Sequence, residues 1–229
     1  MAKAIWEQSR KQEIERTASF NYPSGLIQTA ASLLKDAEPL LSLITGWALI
    51  SKSFDLSLRY HLCHSTKSDL NNFLQGVGPL APDSARVRLA RLLGWLSDET
   101  YSVVNFMRTK RNLVAHSIIR TDEVDYPGSM PKPAKTKLDA TLDRMLNALP
   151  ETERSRFVNA EHGHKIYFLV TASNVLSEVV FGPSLLRLGV PKGSPFFKFD
   201  EGPEWWRTVQ RDVARGALTI IGIDESENN

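Results

Sequence analysis

The chain has 229 residues, of which 42% are hydrophobic, and its formal net charge at pH 7 is +2. This composition suits one domain with a sizeable core, and the near balance of charge excludes a global field that attracts nucleic acid. The single cysteine, Cys63, excludes an intramolecular disulfide. Its histidine neighbours on the same predicted helix converge poorly on one point, and no second ligand cluster follows. We therefore predict no metal and no cofactor.

The N-terminal region is charged and lacks the apolar core of a signal peptide. The longest mainly apolar stretch, residues 39–50, is too short to span a bilayer. We therefore expect a cytoplasmic protein that does not enter a membrane.

The first predicted element is a charged helix over residues 3–17, which ends in a turn at residues 21–25. From residue 26 to about residue 63, apolar side chains recur at spacings of three and four, which predicts one long helix or two helices with a bend near Pro39. The expected organisation has three parts: an N-terminal charged helix and turn (1–23), a helical bundle domain (24–185) and an irregular C-terminal tail (186–229).

Several further helices are predicted from their capping residues. Residues 66–74 match a capping box followed by a short helix. Asp83 or Ser84 is expected to cap the next helix, and Ser97 the helix that runs to about Val114. The helix after Asp83 has an apolar stripe that leaves its arginines mostly outside: Arg86, Arg88 and Arg91.

The second half of the chain is predicted to contain two more helices. Residues 122–135 are rich in proline and charge and indicate an exposed loop. A capping box at 136–139 predicts a helix to Leu149, and residues 151–181 predict a long core helix, with a strand over 166–170 as the alternative.

The C-terminal tail combines glycine and proline with two aromatic pairs. Gly182 and Pro183 are expected to end the preceding helix. The pairs at 196–197 and 205–206 either form a platform for stacking nucleotides or anchor the tail on the bundle, and we favour the anchor. Across the whole chain, eight side chains are predicted to be buried: Leu33, Leu43, Trp47, Leu89, Leu92, Phe106, Leu113 and Phe168.

The helix that begins at Ser97 has two distinct faces. Apolar side chains should pack inward, and they are Val103, Phe106, Met107, Leu113 and Val114. The other face includes a small residue, Ala115, among polar and aromatic ones, which indicates close approach of a second surface. Because two-fold dimers are the commonest assembly, we predict a homodimer with this face at the subunit interface, and packing against another helix is the alternative. The residues of the face are Tyr101, Asn105, Arg108 and Ala115.

The end of this helix admits two interpretations. In a nuclease site, Arg111 would bind a phosphate, His116 would transfer a proton, and Asn112 would hold a ribose, a phosphate or His116. In a structural clamp, the cations favour the negative end of the helix, and Asn112 and His116 bond its free carbonyls. On a continuous helix Arg111 and His116 point about 140° apart, so they converge only if the helix ends near Ala115 or if two subunits meet.

The motifs around this helix resemble those of the mannitol repressor family. They are Gly78-Pro79-Leu80, Ser84-x-Arg86, Leu93-Gly94 and Arg111-Asn112-x-x-Ala115-His116. The last of them also resembles the R-x(4–6)-H signature of the HEPN superfamily. Both resemblances imply an all-α helical bundle, for which we expect six to eight helices with an irregular C-terminal appendage.

The two resemblances imply different functions. A mannitol repressor-like protein is a regulator that acts through protein partners and has no DNA-reading element of its own. A HEPN-type enzyme is a metal-independent endoribonuclease, in which Arg111 would bind the phosphate and His116 would act as general acid or base. The first class is the favoured prediction, the partner protein is not identified by the sequence, and RNA is the alternative ligand.

A DNA-binding helix-turn-helix is disfavoured at Ala90–Ser97, because the would-be recognition helix starts with Asp98 and Glu99, which would face phosphates. Residues 86–120 nevertheless carry a local excess of positive charge. Such an excess either guides a polyanion or forms a solvated face with ion pairs to other helices, and the second is the commoner case.

Overall fold

A computed structural model describes residues 2–62, 66–115, 129–147, 163–187, 189 and 202–222. These residues form helices and connecting turns, without any strand, so the predicted all-α bundle is confirmed. Nine helices occur within the described ranges, one more than the upper end of the expected number: α1 (Ala2–Thr17), α2 (Leu26–Lys35), α3 (Pro39–His61), α4 (Lys67–Leu74), α5 (Asp83–Leu92), α6 (Asp98–Ala115), α7 (Lys132–Leu146), α8 (Gly163–Arg187) and α9 (Glu204–Ile220).

The centre of the bundle is the packing of α3 against α8. A side chain at Gly46 of α3 would place its Cβ 2.2 Å from the ring of Phe168 in α8, so this glycine lets the two helices approach closely. Phe168 is 1% exposed. Among the described helices, α8 alone has the length and apolarity of a membrane span, and 83% of its most apolar stretch is buried in the bundle. It has the burial of the core helix of a soluble protein.

Helix α9 is a regular helix inside the tail that was predicted to be irregular. Its apolar side chains recur at helical spacing and are buried against α2 and α8, while the many glycines and prolines of the tail concealed this pattern in the sequence. Trp205 stacks on Phe181 at 5.1 Å and meets Phe20 edge-on at 4.6 Å. The predicted anchoring role of Trp205 and Trp206 is therefore confirmed, whereas the pair at 196–197 lies outside the described residues.

Several predicted boundaries are wrong for identifiable reasons. Helix α7 begins at Lys132, since Pro133 is compatible with a first helical turn, and residues 136–139 lie inside the helix. Helix α8 continues through Pro183 to Arg187, and its residues 166–170 are helical. Gly182 does not end α8; its Cα lies so near the ring of Trp95 that an added Cβ would be 2.7 Å away.

Capping was predicted correctly in two of four places, and the capping box at 136–139 is one of the two errors. The side chains of Thr66 and Ser97 accept hydrogen bonds from the backbone N–H groups three residues later, as expected. The N-cap position of α5 is occupied by Pro82, so neither Asp83 nor Ser84 caps it. Helices α2 and α3 are separate, with Pro39 in the first turn of α3.

The predicted core is correct in part. Leu43, Trp47 and Phe168 are buried, and three others are half-buried: Leu89, Phe106 and Leu113. Leu33 and Leu92 are 60% and 84% exposed, so those two predictions are wrong. On α2 the buried stripe follows Ile27, Ala30, Ala31 and Leu34, which places Leu33 on the solvent side, and Leu92 lies at the exposed end of α5.

Candidate functional site

Helices α3, α5 and α6 border an open cleft of about 630 Å³. Its walls combine apolar and charged side chains from these helices, with Gln75 at the end of α4. Arg111 and Ala115, two of the residues singled out in the sequence, both line it. The lining residues are Ile44, Trp47, Ala48, Ser51, Lys52, Asp55, Gln75, Asp83, Arg86, Arg111 and Ala115.

Arg111 lies along the cleft with its side chain about one-third exposed. Its guanidinium carbon is 5.7 Å from the ring centre of Trp47, a cation–π contact that orients the planar group. Its Nη1 donates a 2.8 Å hydrogen bond to Oδ1 of Asn112. Its Nη2 is 3.8 Å from Oδ2 of Asp83, which is an ion pair longer than a hydrogen bond. Arg111 therefore keeps donors that a ligand can engage.

Asp83 is the carboxylate that organises the floor of the cleft. It accepts hydrogen bonds from Nε1 of Trp47 at 2.7 Å and from Oγ of Ser51 at 2.5 Å. These two bonds link the first turn of α5 to the middle of α3. Since they use lone pairs on both carboxylate oxygens, Asp83 fixes Trp47, and Trp47 in turn orients Arg111. The sequence prediction missed this role for Asp83 because its partners lie 36 and 32 residues earlier in the chain.

Arg86 was predicted to lie outside the apolar stripe, but it is 8% exposed. Its Nε donates to the carbonyl of Leu80 at 2.8 Å, and its Nη2 donates to the carbonyl of Leu74. Gly78 in the same loop lies so close to the α4 backbone that a Cβ would be 2.1 Å from the carbonyl oxygen of Asn72. Gly78 and Arg86, which belong to two of the motifs described above, therefore hold the α4–α5 loop against the bundle.

The charges of the cleft nearly balance. Its lining includes three cationic side chains, those of Lys52, Arg86 and Arg111, and two carboxylates. Lys52 is 3.4 Å from Asp55, and Arg86 is 3.9 Å from Asp83. The small positive excess suits a ligand with one negative charge better than a polyanion, whose binding depends on many unpaired cations.

The predicted interface residues are spread along α6. Tyr101 is half-buried beneath Arg91, whose guanidinium carbon is 5.4 Å from the ring centre. Asn105 accepts a hydrogen bond from Arg108 at 3.2 Å, and Nε of Arg108 is buried without a hydrogen-bond partner. Ala115 is exposed at the cleft, at the end of α6. Contacts within the chain therefore cover part of this face of α6.

The nuclease motif is only partly described. Arg111 and Asn112 lie side by side at the C-terminal end of α6, and they are hydrogen-bonded to each other. His116, the predicted acid or base, lies outside the described residues, as do Cys63 and His64. The structure therefore tests the position of Arg111 and Asn112 and leaves the convergence with His116 as a prediction.

A second polar cluster lies buried between α6, α7 and α8, and sequence analysis missed it. Glu178, 5% exposed, accepts hydrogen bonds from the backbone N–H of Ser97 at 2.7 Å and from the hydroxyls of Ser97 and Thr100 at 3.0 and 2.8 Å. Lys137 forms an ion pair with the same carboxylate. The one feature of the sequence that could have indicated this cluster is Glu178, an acidic residue within an apolar helix. Because Ser97 is 1% exposed, this cluster is structural and offers no access to a substrate.

His61 ends α3 within an aromatic contact. Its Nε2 is 2.7 Å from the carbonyl oxygen of Val179, and its ring centre is 4.5 Å from that of Trp95. Burial lowers the pKa of His61. Within the described ranges, no three His, Cys, Asp or Glu side chains are grouped as metal ligands would be.

Comparison of the chain with models of known protein families, with curated proteins and with solved structures gave no match.

Proposed function

We propose that the chain is a cytoplasmic regulatory protein of the mannitol repressor type, which acts as a dimer through a protein partner and does not read DNA itself. The observation that carries this proposal is the pairing of Arg111 with Asp83 and Trp47 in a nearly neutral cleft. In such a cleft Arg111 recognises a ligand of low charge, and the apolar wall provides contact area.

The charge of the cleft also weighs against the alternative function, a metal-independent ribonuclease of the HEPN type. An RNA strand brings several phosphates, whereas the cleft lining holds three cationic side chains, of which Lys52 and Arg86 lie 3.4 and 3.9 Å from carboxylates. Two arginines of α5 are also engaged elsewhere. Arg86 bonds backbone carbonyls, and Arg91 forms an ion pair with Asp98.

The apolar wall supports a macromolecular partner. Ile44 is 47% exposed at the cleft, beside the exposed Ala48 and the one-third exposed Arg111. An exposed apolar surface beside an arginine is typical of protein interfaces, where arginine is enriched. We infer that a segment of the partner enters the cleft.

The first experiment separates the two functions by their chemistry. Purified protein is incubated with mixed single-stranded RNA in EDTA, alongside the variants His116→Ala and Arg111→Lys. The regulatory function predicts intact RNA in all samples. Cleavage by the wild type that His116→Ala abolishes, with an unchanged circular dichroism spectrum, would establish the ribonuclease instead, because a general acid or base contributes about 10²–10⁴-fold.

The second experiment identifies what occupies the cleft in cells. A photo-crosslinking amino acid replaces Ala48, which is exposed at the cleft, or Ala140, which is exposed on α7 outside it. We expect a protease-sensitive, nuclease-resistant adduct from position 48 and none from position 140. Failure to form a protein adduct at position 48, or formation of an RNA adduct there, would contradict the proposal.

A further inference from the structure

An apolar stripe extends from the cleft along one face of α3. Leu41 and Ile44 are three residues apart, Ala48 follows four residues later, and the three lie on one side of the helix. Leu41 is 52% exposed and Ile44 is 47% exposed. From Leu41 to Ser51, which lines the cleft, the helix rises about 15 Å. An extended peptide of about five residues covers this length, at about 3.3–3.6 Å per residue.

Arg111 provides the polar contact near the end of this stripe. Asp83 already accepts hydrogen bonds from Trp47 and Ser51, and its 3.8 Å distance to Arg111 leaves guanidinium donors unused. Carboxylates and phosphates both match two parallel guanidinium donors, so the charge of the cleft decides between them. The cationic side chains of the lining exceed the carboxylates by one, which matches one such group.

We propose that the cleft and the α3 stripe together bind a peptide segment of the partner in which one aspartate or glutamate is flanked by apolar residues. The acidic side chain accepts hydrogen bonds from Arg111, while the apolar side chains cover Leu41 and Ile44. Trp47 holds the guanidinium plane in place through the contact described above. This assignment rests on the proposed function, because it names the chemistry of the partner at the same cleft.

The structure also favours a carboxylate over a phosphate group at this position. A phosphate monoester carries about two negative charges at neutral pH, whereas a carboxylate carries one. The second charge would have to lie beside Asp83 without a further cation, because Arg86 is directed to the carbonyls of Leu74 and Leu80. The charges of the cleft therefore favour a singly charged ligand group over a doubly charged one.

A peptide-display selection tests the inference without knowledge of the partner. A library of randomised ten-residue peptides is selected against the wild-type protein, and peptides that also bind an Ile44→Asp variant are discarded. We expect the remaining peptides to be enriched in one aspartate or glutamate near apolar residues. A selected peptide is then synthesised with a fluorescent label, both as such and with its acidic residue changed to the amide.

Matched variants separate the local contacts from general effects. Arg111→Gln is compared with Arg88→Gln, which removes the same charge from an exposed position of α5 outside the cleft lining. Ile44→Asp is compared with Leu186→Asp, because Leu186 is 46% exposed on α8, close to the 47% of Ile44. Thermal melting of all four variants verifies that they fold.

Fluorescence anisotropy then measures the dissociation constant of each labelled peptide for each variant. Arg111→Gln should weaken binding of the acidic peptide by about tenfold or more, since hydrogen bonds to charged groups are the strong ones. The amide peptide should bind the wild type and Arg111→Gln equally, and both control variants should bind as the wild type does. Added salt should weaken binding of the acidic peptide more than binding of the amide peptide.

Two outcomes would overturn the inference in distinguishable ways. Selected peptides that depend on Ile44 but carry no acidic enrichment, or that bind Arg111→Gln as tightly as the wild type, would refute the acidic partner and leave the protein-binding function in place. No selected peptide together with tight, Arg111-dependent binding of single-stranded RNA would refute both.

Discussion

Replacing Glu178 by glutamine tests how the start of α6 is held in the bundle. The carboxylate serves four donors from α6 and α7: the backbone N–H of Ser97, the hydroxyls of Ser97 and Thr100, and the ammonium of Lys137. Glutamine keeps the size of the side chain, but its amide nitrogen donates where an acceptor is needed. It also leaves Lys137, whose side chain is 13% exposed, without its counter-charge.

We expect Glu178→Gln to lower the free energy of unfolding by about 3–5 kcal/mol, the usual cost of removing one partner of a buried ion pair. This is a large share of a typical stability of about 5–15 kcal/mol. With a urea dependence of about 2 kcal/mol per M, the midpoint of unfolding should fall by about 2 M. Far-ultraviolet circular dichroism in a urea series measures this shift.

A double-mutant cycle identifies the cause of the loss. Adding Lys137→Met removes the unpaired ammonium at similar length, so the double variant should regain about 2 kcal/mol relative to Glu178→Gln. The control is Glu204→Gln, because the Glu204 side chain is 64% exposed and pairs with Arg207 and Arg211 at the surface. It should change stability by less than about 1 kcal/mol. A loss at Glu178 no larger than that of the control would refute the buried-pair argument.

Three further predictions concern the core and its dependence on pH. Trp47→Ala should lower the free energy of unfolding, measured in urea, by about 3–5 kcal/mol, because a 3% exposed indole is removed and Asp83 loses a donor. A decrease below about 1 kcal/mol would contradict this prediction. Gly46→Ala should destabilise by about 1–3 kcal/mol despite the helix propensity of alanine, since the added Cβ would lie 2.2 Å from Phe168; an unchanged or raised melting temperature would show that the helices separate easily. Burial lowers the pKa of His61 below 6.5 in the folded state, so below about pH 6.5 the unfolded chain binds more protons and stability falls as the pH falls. The decrease in melting temperature from about pH 7.5 to 5.5 should be smaller in His61→Gln, and an identical pH dependence in both proteins would exclude this role.

The helices that could be predicted from the sequence are those whose signals are local. Thr66 and Ser97 cap helices because a side-chain oxygen bonds an N–H three residues later, which depends on few neighbours. Pro183 misled the prediction because burial of α8 outweighs the lost hydrogen bond, and this burial depends on the whole bundle. Helix α9 was hidden for a similar reason, since its apolar face is recognisable only beside α2 and α8.

The same distinction between local and long-range signals applies to the candidate site. Arg111 and Asn112 could be singled out because they stand together near a helix end. Asp83 could not, because an acidic residue at a helix start usually caps the helix, and nothing local indicates bonds to Trp47 and Ser51 of another helix. Arg86 was expected in solvent because arginine is rarely buried, and the carbonyls that compensate it belong to a loop closed by tertiary contacts.

The attachment of α9 to the start of the bundle has a consequence for how the chain folds during synthesis. Asp212 accepts hydrogen bonds from the hydroxyl of Tyr22, 190 residues earlier, and from the backbone N–H of Gly25. Bringing together groups so distant in sequence is slow, because chain entropy is lost before the contact forms. Until α9 has left the ribosome, the apolar side chains of α2 that it covers remain exposed to water and to other nascent chains. Helix α9 therefore sets the time during which the apolar face of α2 is open to aggregation, and refolding with and without residues 204–229 would measure it.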